Sequence, residues 1–300
     1  MKCIMQKKLI AVLGGILIFA GTAYGDLYDT EFLGGDVLDG ARWTDGVPAG
    51  GAHGLMAEDG TISAVGDMNW YGNDGGTTIT IDGGHISRTD GNLALRVLQN
   101  SFLTVNSGSL TNQGGLSFNR AGFELNDGSI DVNFLNFYGS GEGSAFGGTV
   151  NGGTLTVNEL RLFNAQTATK HLHLAGGNVI VNDQVRFTGS TTDGYMTIAG
   201  GSLTVSGSTP FDTWGDGYID FLEESISLAS LTVTGFGLSD YETLYSQNRI
   251  RFDGSNEGNF SAHFSVTDDT LSVIPEPSAG LLMALFGGVF IWWRRARLHG

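Results

Sequence analysis

The sequence predicts an all-β protein built on a single-stranded parallel β-helix of about six coils. Three observations lead to this fold class. Glycine accounts for 48 of 300 residues, apolar residues alternate with polar ones along short segments, and one glycine-containing segment recurs at a nearly constant interval. Alternation at every second position is the period of a β-strand, and a fixed interval of about 20–50 residues is the period of a solenoid.

The recurring segment consists of an alternating strand, a turn with glycine and a second alternating strand. Its six copies are ITIDGGHIS (79–87), LTVNSGSLT (103–111), FELNDGSID (123–131), GTVNGGTLT (148–156), LHLAGGNVI (172–180) and MTIAGGSLT (196–204). The aligned glycines are Gly84, Gly108, Gly128, Gly153, Gly177 and Gly201, at spacings of 24, 20, 25, 24 and 24 residues. A third alternating segment follows each copy, so three short strands make one triangular coil. Residues 75–207 are therefore predicted to stack as coils around a shared core.

A β-sandwich or an antiparallel meander is the alternative, because its strands also recur every 8–12 residues or so. The 24-residue repeat favours the solenoid. The open ends of a solenoid expose backbone edges, so residues 26–74 and 208–273 are expected to form the two caps. Within the second cap, Ser239-Asp240-Tyr241-Glu242 has the spacing of a helix start, with the helix running to about Asn248. Alternation from Phe264 to Val273 around Asp268-Asp269 predicts a hairpin.

Residues 1–25 have the composition of a secretory signal peptide. Lys2, Lys7 and Lys8 precede an apolar run over 9–20, and Ala23 and Gly25 are small residues at the positions that a signal peptidase recognises. We therefore expect a signal helix, export through the Sec pathway and cleavage after Gly25. The only cysteine, Cys3, lies before the apolar run. The exported chain is thus expected to contain no disulfide.

A second targeting pattern lies in residues 274–300. Pro275-Glu276-Pro277 precedes an uncharged run over 279–293, which Arg294, Arg295 and Arg297 follow. An apolar helix that ends in a cationic cluster inserts with the cluster on the cytoplasmic side. The run has about 15 residues, fewer than the ~20 that usually span a bilayer. A transmembrane helix of this length fits a temporary stop that is later processed.

This combination resembles the PEP-CTERM sorting signal, with Pro275, Glu276, Pro277 and the three arginines at the matching positions. The resemblance covers about a tenth of the chain. It implies sorting by an exosortase-type membrane protease in a Gram-negative bacterium, with exopolysaccharide as a further partner. The segment Trp43-Thr44-Asp45-Gly46-Val47-Pro48 resembles the opening of secreted β-helix passengers of the autotransporter kind. These resemblances concern where the protein goes more than what it does there.

Three sets of residues are candidates for binding chemistry. Asp212, Asp216, Asp220 and Glu223 fall at positions 1, 5, 9 and 12 of an EF-hand-like calcium loop, but Trp214 occupies position 3, where an oxygen ligand is expected. The alternative is a glycine turn that leads into a strand over Tyr218–Leu222. His171 and His173 bracket an inward-facing leucine and form a solvated pair or a metal site. Arg161 and Arg186 stack one coil apart and are candidates for contact with an acidic polysaccharide.

Charge limits the classes of partner. Residues 26–274 contain 30 acidic and 9 basic side chains, a net charge of −21, so nucleic acid is excluded as a partner. No carboxylate pair at the spacing of a glycosidase, no nucleophile motif and no cofactor motif is evident, apart from the candidate calcium loop. The sequence therefore predicts a non-enzymatic envelope or extracellular-matrix protein with a rigid solenoid passenger. A carbohydrate-active β-helix enzyme and a calcium-dependent adhesin are the alternatives.

Overall fold

The structure is a computed structural model, and the residues that it describes fall in several ranges. These are 30–37, 40–42, 44, 47, 53–58, 60–61, 68–70, 77–88, 94–98, 101–138, 146–162, 170–187, 194–212, 214–222 and 229–274. The predicted signal peptide and the predicted sorting tail lie outside these residues.

Strands make up most of the described chain. They are β1 (Thr30–Glu31), β2 (Gly35–Asp36), β3 (His53–Met56), β4 (Gly60–Thr61), β5 (Met68–Trp70), β6 (Thr78–Arg88), β7 (Leu95–Leu98), β8 (Phe102–Asn119), β9 (Gly122–Leu125), β10 (Ser129–Tyr138), β11 (Phe146–Val150), β12 (Thr154–Arg161), β13 (Lys170–Leu174), β14 (Asn178–Arg186), β15 (Tyr195–Ile198), β16 (Ser202–Val205), β17 (Phe211–Asp212), β18 (Tyr218–Phe221), β19 (Ser230–Val233), β20 (Ile250–Phe252), β21 (Phe264–Thr267) and β22 (Thr270–Val273). The helices are a 3₁₀ turn (Gly40–Arg42), α1 (Leu238–Ser246) and α2 (Phe260–His263).

The strands from β1 to β20 pair in parallel from one coil to the next, which confirms the solenoid and excludes the sandwich. Sheet 1 contains β1, β3, the first parts of β6 and β8, and then β9, β11, β13, β15, β18 and β20. Sheet 2 contains β2, β4, the following parts of β6 and β8, the first parts of β10, β12 and β14, and then β16 and β19. Sheet 3 contains β5, β7, the ends of β8, β10, β12 and β14, and β17. The repeat region between Gly84 and Gly201 makes about five turns, and further strands extend the sheets before and after it. The predicted six coils counted the six glycine corners, which enclose five full turns.

Glycine occupies the corner between sheets 1 and 2 for two separate physical reasons. Gly153 has a φ of +66°, a left-handed conformation that L side chains rarely adopt. A Cβ on Gly153 would also lie only 2.4 Å from the carbonyl oxygen of Gly128 in the preceding coil. Gly108, Gly177 and Gly201 repeat both features. The first coil differs from the predicted alignment, because Gly83 has the positive φ there and an irregularity follows Asp82.

Asparagine ladders stabilise the corners from outside. Asn126 donates a hydrogen bond of 3.0 Å to the side-chain oxygen of Asn106, and Asn151 donates one of 2.7 Å to that of Asn126. A second ladder joins Asn133, Asn158 and Asn182 through bonds of 2.7 and 3.2 Å. Since each amide both donates and accepts, a column of identical residues satisfies itself from coil to coil.

The core is a continuous apolar column inside the three sheets. Inward residues such as Leu110, Leu155 and Val179 are fully buried. Phe118, Phe123 and Phe137 stack on one another with ring centroids 5.3–6.1 Å apart. Complete burial of each such ring stabilises the fold by ~2–3 kcal/mol relative to leaving it exposed.

The C-terminal end of the solenoid is closed by a helix and a hairpin. The hairpin of β21 and β22 is confirmed, and β22 pairs in antiparallel fashion with β19, so it ends the parallel stacking of sheet 2. The predicted helix is also present, but it begins after Gly237 and not at Ser239. Its start shifts because the carboxylate of Asp240 accepts the backbone N–H of Gly237, at 2.8 Å.

Tyr241 joins this helix to strand β19 and to the turn between β21 and β22. Its ring is fully buried. The hydroxyl accepts the N–H of Val233 at 3.1 Å and lies 2.7 Å from the carbonyl oxygen of Asp269 and 3.1 Å from that of Leu231. Burial raises the pKa of this phenol, so it remains a hydrogen-bond donor at neutral pH. The cap therefore includes a polar anchor in an apolar interface.

Candidate functional site

The outer face of sheet 2 carries two straight columns of short, mostly polar side chains. The parallel register aligns Ser87, Thr111, Asp131, Thr156, Ile180, Thr204 and Thr232 in one column, and His85, Ser109, Ser129, Thr154, Asn178, Ser202 and Ser230 in the other. Neighbours in a column lie about 4.8 Å apart, the spacing of paired strands. Sequence alternation predicted these outward positions. Hydroxyl and amide groups of this kind bind well but transfer protons poorly at neutral pH.

A pocket of about 360 Å³ lies at the N-terminal end of the two columns. Its lining includes His85, Ser87, Ser109, Thr111 and the glycines Gly35 and Gly60. Nδ1 of His85 and Oγ of Ser109 share a hydrogen bond of 2.9 Å, which orients both side chains. Gly60 must lack a side chain, because a Cβ there would lie 2.6 Å from the ring of Phe32 in the core. Sequence patterning placed the polar residues on one face, but it did not indicate a concavity.

The two candidate histidines meet on the outer face of sheet 1. Nε2 of His171 and Nδ1 of His173 lie 2.6 and 2.7 Å from the same atom, Oγ1 of Thr197. This hydroxyl has one proton, so at least one of the two rings donates to it. Burial, followed by the charge of His173, lowers the pKa of His171 to about 4. His171 is therefore neutral at pH 7. No group of three His, Cys, Asp or Glu residues suited to a metal occurs in the described part of the chain.

An aromatic column runs along sheet 1 beside these histidines, and the sequence patterns did not reveal it. The ring of His171 stacks on that of Tyr195 at 4.6 Å, and Tyr195 stacks on Tyr218 at 5.2 Å. The guanidinium carbon of Arg251 lies 3.5 Å from the centroid of Tyr218 and closes the column. A signal was present, since both tyrosines stand one residue before the first inward side chain of their strands. The two faces of the Tyr195 ring are covered by His171 and Tyr218, and those of the Tyr218 ring by Tyr195 and Arg251.

The arginines proposed for an acidic polysaccharide are neutralised within sheet 3. Glu159 accepts a hydrogen bond from Arg161 and one of 3.0 Å from Arg186, and Nε of Arg186 lies 3.2 Å from Asp212. Burial raises the pKa of Glu159, but its bonds to the two arginines outweigh this effect and hold the pKa below its ordinary value. The guanidinium of Arg161 also lies over the ring of Phe134, at 4.4 Å. These cations therefore stabilise the coil stack and offer little free charge to an anion.

The carboxylates of the candidate calcium loop have separate environments. Asp212 faces outward from sheet 3 and pairs with Arg186, whereas Asp220 faces outward from sheet 1. The carboxylate of Asp220 accepts the backbone N–H of Gly254 at 3.0 Å. Trp214 stacks on Phe187 at 4.6 Å, and Asp216 is exposed in the turn before β18. The strand interpretation of 218–222 is thus realised as β18, and Glu223 lies outside the described residues.

The structure does not describe the residues of the predicted targeting signals. Ala23, Gly25, Pro275, Glu276, Pro277, Arg294, Arg295 and Arg297 all lie outside the described residues. Among the residues that are described, no helix has the length and apolar character needed to cross a membrane. Cleavage, sorting and membrane insertion at these positions stay predictions.

Comparison with known proteins adds no relative to these observations. No protein family, no curated protein and no solved structure significantly matches the chain.

Proposed function

We propose that the chain is an exported, non-enzymatic envelope or extracellular-matrix protein whose β-solenoid is displayed at the cell surface. In this proposal residues 1–25 direct Sec export and are removed by signal peptidase. Residues 274–300 are a PEP-CTERM signal that inserts into the membrane and is processed by an exosortase-type protease of a Gram-negative cell. The solenoid then serves as a rigid spacer and binding surface in the exopolysaccharide-containing matrix.

The observation that carries the proposal is the position of the C-terminal cap. The last strand in the described part of the chain, Thr270–Val273, completes the hairpin that closes sheet 2. Pro275-Glu276-Pro277 follows two residues later. Cleavage after Ile274 would therefore leave the backbone hydrogen bonds among the described residues of the cap intact, including the bond of 2.8 Å from the N–H of Ile274 to His263. A folded passenger beside a dispensable tail is what a processed sorting signal requires.

The chemistry of the surface supports a binding role over turnover. The ionised groups at Glu159, Arg186 and Asp212 bind one another and are not directed at a shared cleft. The long columns on sheet 2 offer hydroxyls and amides, which hold a ligand without supplying a general acid or base. We therefore expect no release of reducing ends from a panel of polysaccharides.

The sorting claim is tested by replacing Pro275, Glu276 and Pro277 with alanine in the native host. Cell fractions are probed for the protein, and mass spectrometry defines both ends of its mature form. We expect the variant to keep its tail and to accumulate in the inner membrane. Glu242→Gln, an exposed change on helix α1, is the control and should be processed normally. Unchanged localisation and unchanged C-terminal mass in the alanine variant would contradict the proposal.

A further inference from the structure

We propose that the pocket at the N-terminal end of sheet 2 binds a neutral glycan. The ligand class is an uncharged oligosaccharide, and the binding residues are His85, Ser87, Ser109 and Thr111. This inference rests on the proposed function, because it gives the displayed solenoid a molecular partner. It goes further by assigning that partner to one site.

The volume of the pocket suits a short segment of an oligosaccharide. Its volume of about 360 Å³ lies at the lower end of the range of small-molecule sites, ~300–1,000 Å³. Gly35 and Gly60 contribute backbone atoms to the lining. A pocket of this size accommodates one or two sugar units, while the rest of a chain extends over the surface.

The lining groups match the chemistry of sugar hydroxyls. Serine and threonine hydroxyls donate and accept, and an imidazole presents one donor and one acceptor when neutral. His85 and Ser109 are already oriented by their mutual hydrogen bond of 2.9 Å. Groups that are held in position before binding lose less conformational entropy when the ligand arrives. The hydroxyl of Ser109 can form further hydrogen bonds to a ligand, because a hydroxyl has one donor and two acceptor sites.

The columns extend this chemistry beyond the pocket. Ser129 and Thr154 continue the column of Ser109 at about 4.8 Å per coil. A glycan that is anchored in the pocket can therefore lie along the solenoid axis over further hydroxyls. Asp131 interrupts the neighbouring column one coil from Thr111. Its carboxylate would accept hydrogen bonds from a neutral sugar and repel an anionic one.

Electrostatics selects the neutral class. Residues 26–274 carry a net charge of −21. The basic pair Arg161 and Arg186 lies on sheet 3 and is bound to Glu159. A uronic acid or a sulfated glycan would approach a surface of like charge, which lowers both its association rate and its affinity. Among the described lining residues no carboxylate is present, so the pocket binds without hydrolysis.

The test uses the full chain, purified in a mild detergent, and measures ligand binding by saturation-transfer NMR and calorimetry. The probes are cellotriose, laminaritriose, maltotriose and the anionic trigalacturonate. We expect at least one neutral trisaccharide to bind and trigalacturonate not to bind. Thr111→Tyr fills the pocket and should weaken binding at least tenfold. Ser109→Ala, which adds no bulk, should weaken binding several-fold.

The matched control is Thr204→Tyr, the same substitution in the same column about 19 Å further along the solenoid. It should bind like the native protein. Absence of binding to every neutral trisaccharide, equal binding of trigalacturonate, or equal loss in Thr111→Tyr and Thr204→Tyr would each overturn the proposal. Circular dichroism melts show whether each variant is folded. Processing of the tail in Thr111→Tyr reports separately on the sorting claim, since a defect in sugar binding should leave the mature C-terminus unchanged.

Discussion

Replacement of a corner glycine by alanine separates the two physical reasons for which the corner needs glycine. Gly153→Ala imposes both a left-handed φ and a Cβ that lies 2.4 Å from the oxygen of Gly128. Gly235→Ala imposes only the φ of +84°, because a Cβ there would meet nothing within 4 Å. Gly152→Ala imposes only the close approach, 2.3 Å from the oxygen of Asn126.

The magnitudes follow from these geometries. A left-handed alanine costs ~1–2 kcal/mol, and a forced shift between packed coils costs ~1–3 kcal/mol. Alanine also stiffens the unfolded chain, which offsets ~0.4–1 kcal/mol. We therefore expect Gly153→Ala to lower the free energy of unfolding by ~1.5–4 kcal/mol, Gly235→Ala by ~0.5–1 kcal/mol and Gly152→Ala by ~0.5–2 kcal/mol.

The assay is urea unfolding of the full chain in detergent, followed by far-ultraviolet circular dichroism. The slope of the free energy against urea concentration should be equal in all variants, which would show that the same surface unfolds. The loss in Gly153→Ala should exceed the sum of the losses in the other two variants by ~0.4–1 kcal/mol, because the stiffening of the unfolded chain offsets the cost once in that variant and twice in the sum. If Gly153→Ala costs no more than Gly235→Ala, the contact between coils does not constrain the corner and the reasoning fails.

Three further predictions concern the core, the cap and the outer face of sheet 1. Phe118→Ala removes the central ring of the buried stack and should lower the free energy of unfolding by ~3–5 kcal/mol. The control, Phe102→Ala, removes an exposed ring and should change the free energy of unfolding by less than ~1 kcal/mol. Urea unfolding of the two variants measures both changes, and equal changes would contradict the prediction. Tyr241→Phe leaves buried backbone groups of the cap without a partner and should lower the free energy of unfolding by ~1–3 kcal/mol. Amide hydrogens in residues 264–273 should then exchange faster than in the native protein. Unchanged exchange would contradict this prediction. Lowering the pH from 7 towards 4 should destabilise the native protein in part through His171, because the unfolded imidazole takes up a proton near its ordinary pKa of 6.5 and the folded one only near 4. His171→Phe should flatten the melting temperature over that pH window, and an undiminished slope would exclude this histidine as a cause.

The repeat was predictable from sequence because its physical causes are local. Alternation assigns inward residues such as Leu155 and Val179, and the corner glycines mark the period. The corner glycine of the first coil was predicted wrongly, because an irregularity after Asp82 moves the positive φ to Gly83. The start of α1 was misplaced by two residues because Gly237, a weak cap by residue type, is assisted by a carboxylate three residues later. Neither feature follows from period or propensity alone.

The sites were harder to predict, because they depend on contacts between coils that a linear pattern does not specify. Arg161 and Arg186 were assigned to one column correctly, but the glutamate that neutralises them lies two residues before Arg161 on the same outer face. The stacking of His171 on Tyr195 requires their strands to align to within one residue. A one-residue slip between coils would reverse the side on which every side chain lies. Contacts across coils therefore become visible only when the register is known.

The distribution of satisfied polar groups indicates which face of the solenoid is available for recognition. Asparagine ladders use the corner amides, an ion-pair network uses the charges of sheet 3, and aromatic stacking uses the ring faces of sheet 1. On sheet 2, by contrast, no hydrogen bond within the described part of the chain engages the hydroxyls of Thr111, Thr156 or Thr204. These groups are satisfied by water and can exchange it for a ligand at little cost. A surface that binds an external ligand needs hydroxyls that form no hydrogen bonds within the protein. A surface that only joins neighbouring coils does not need them.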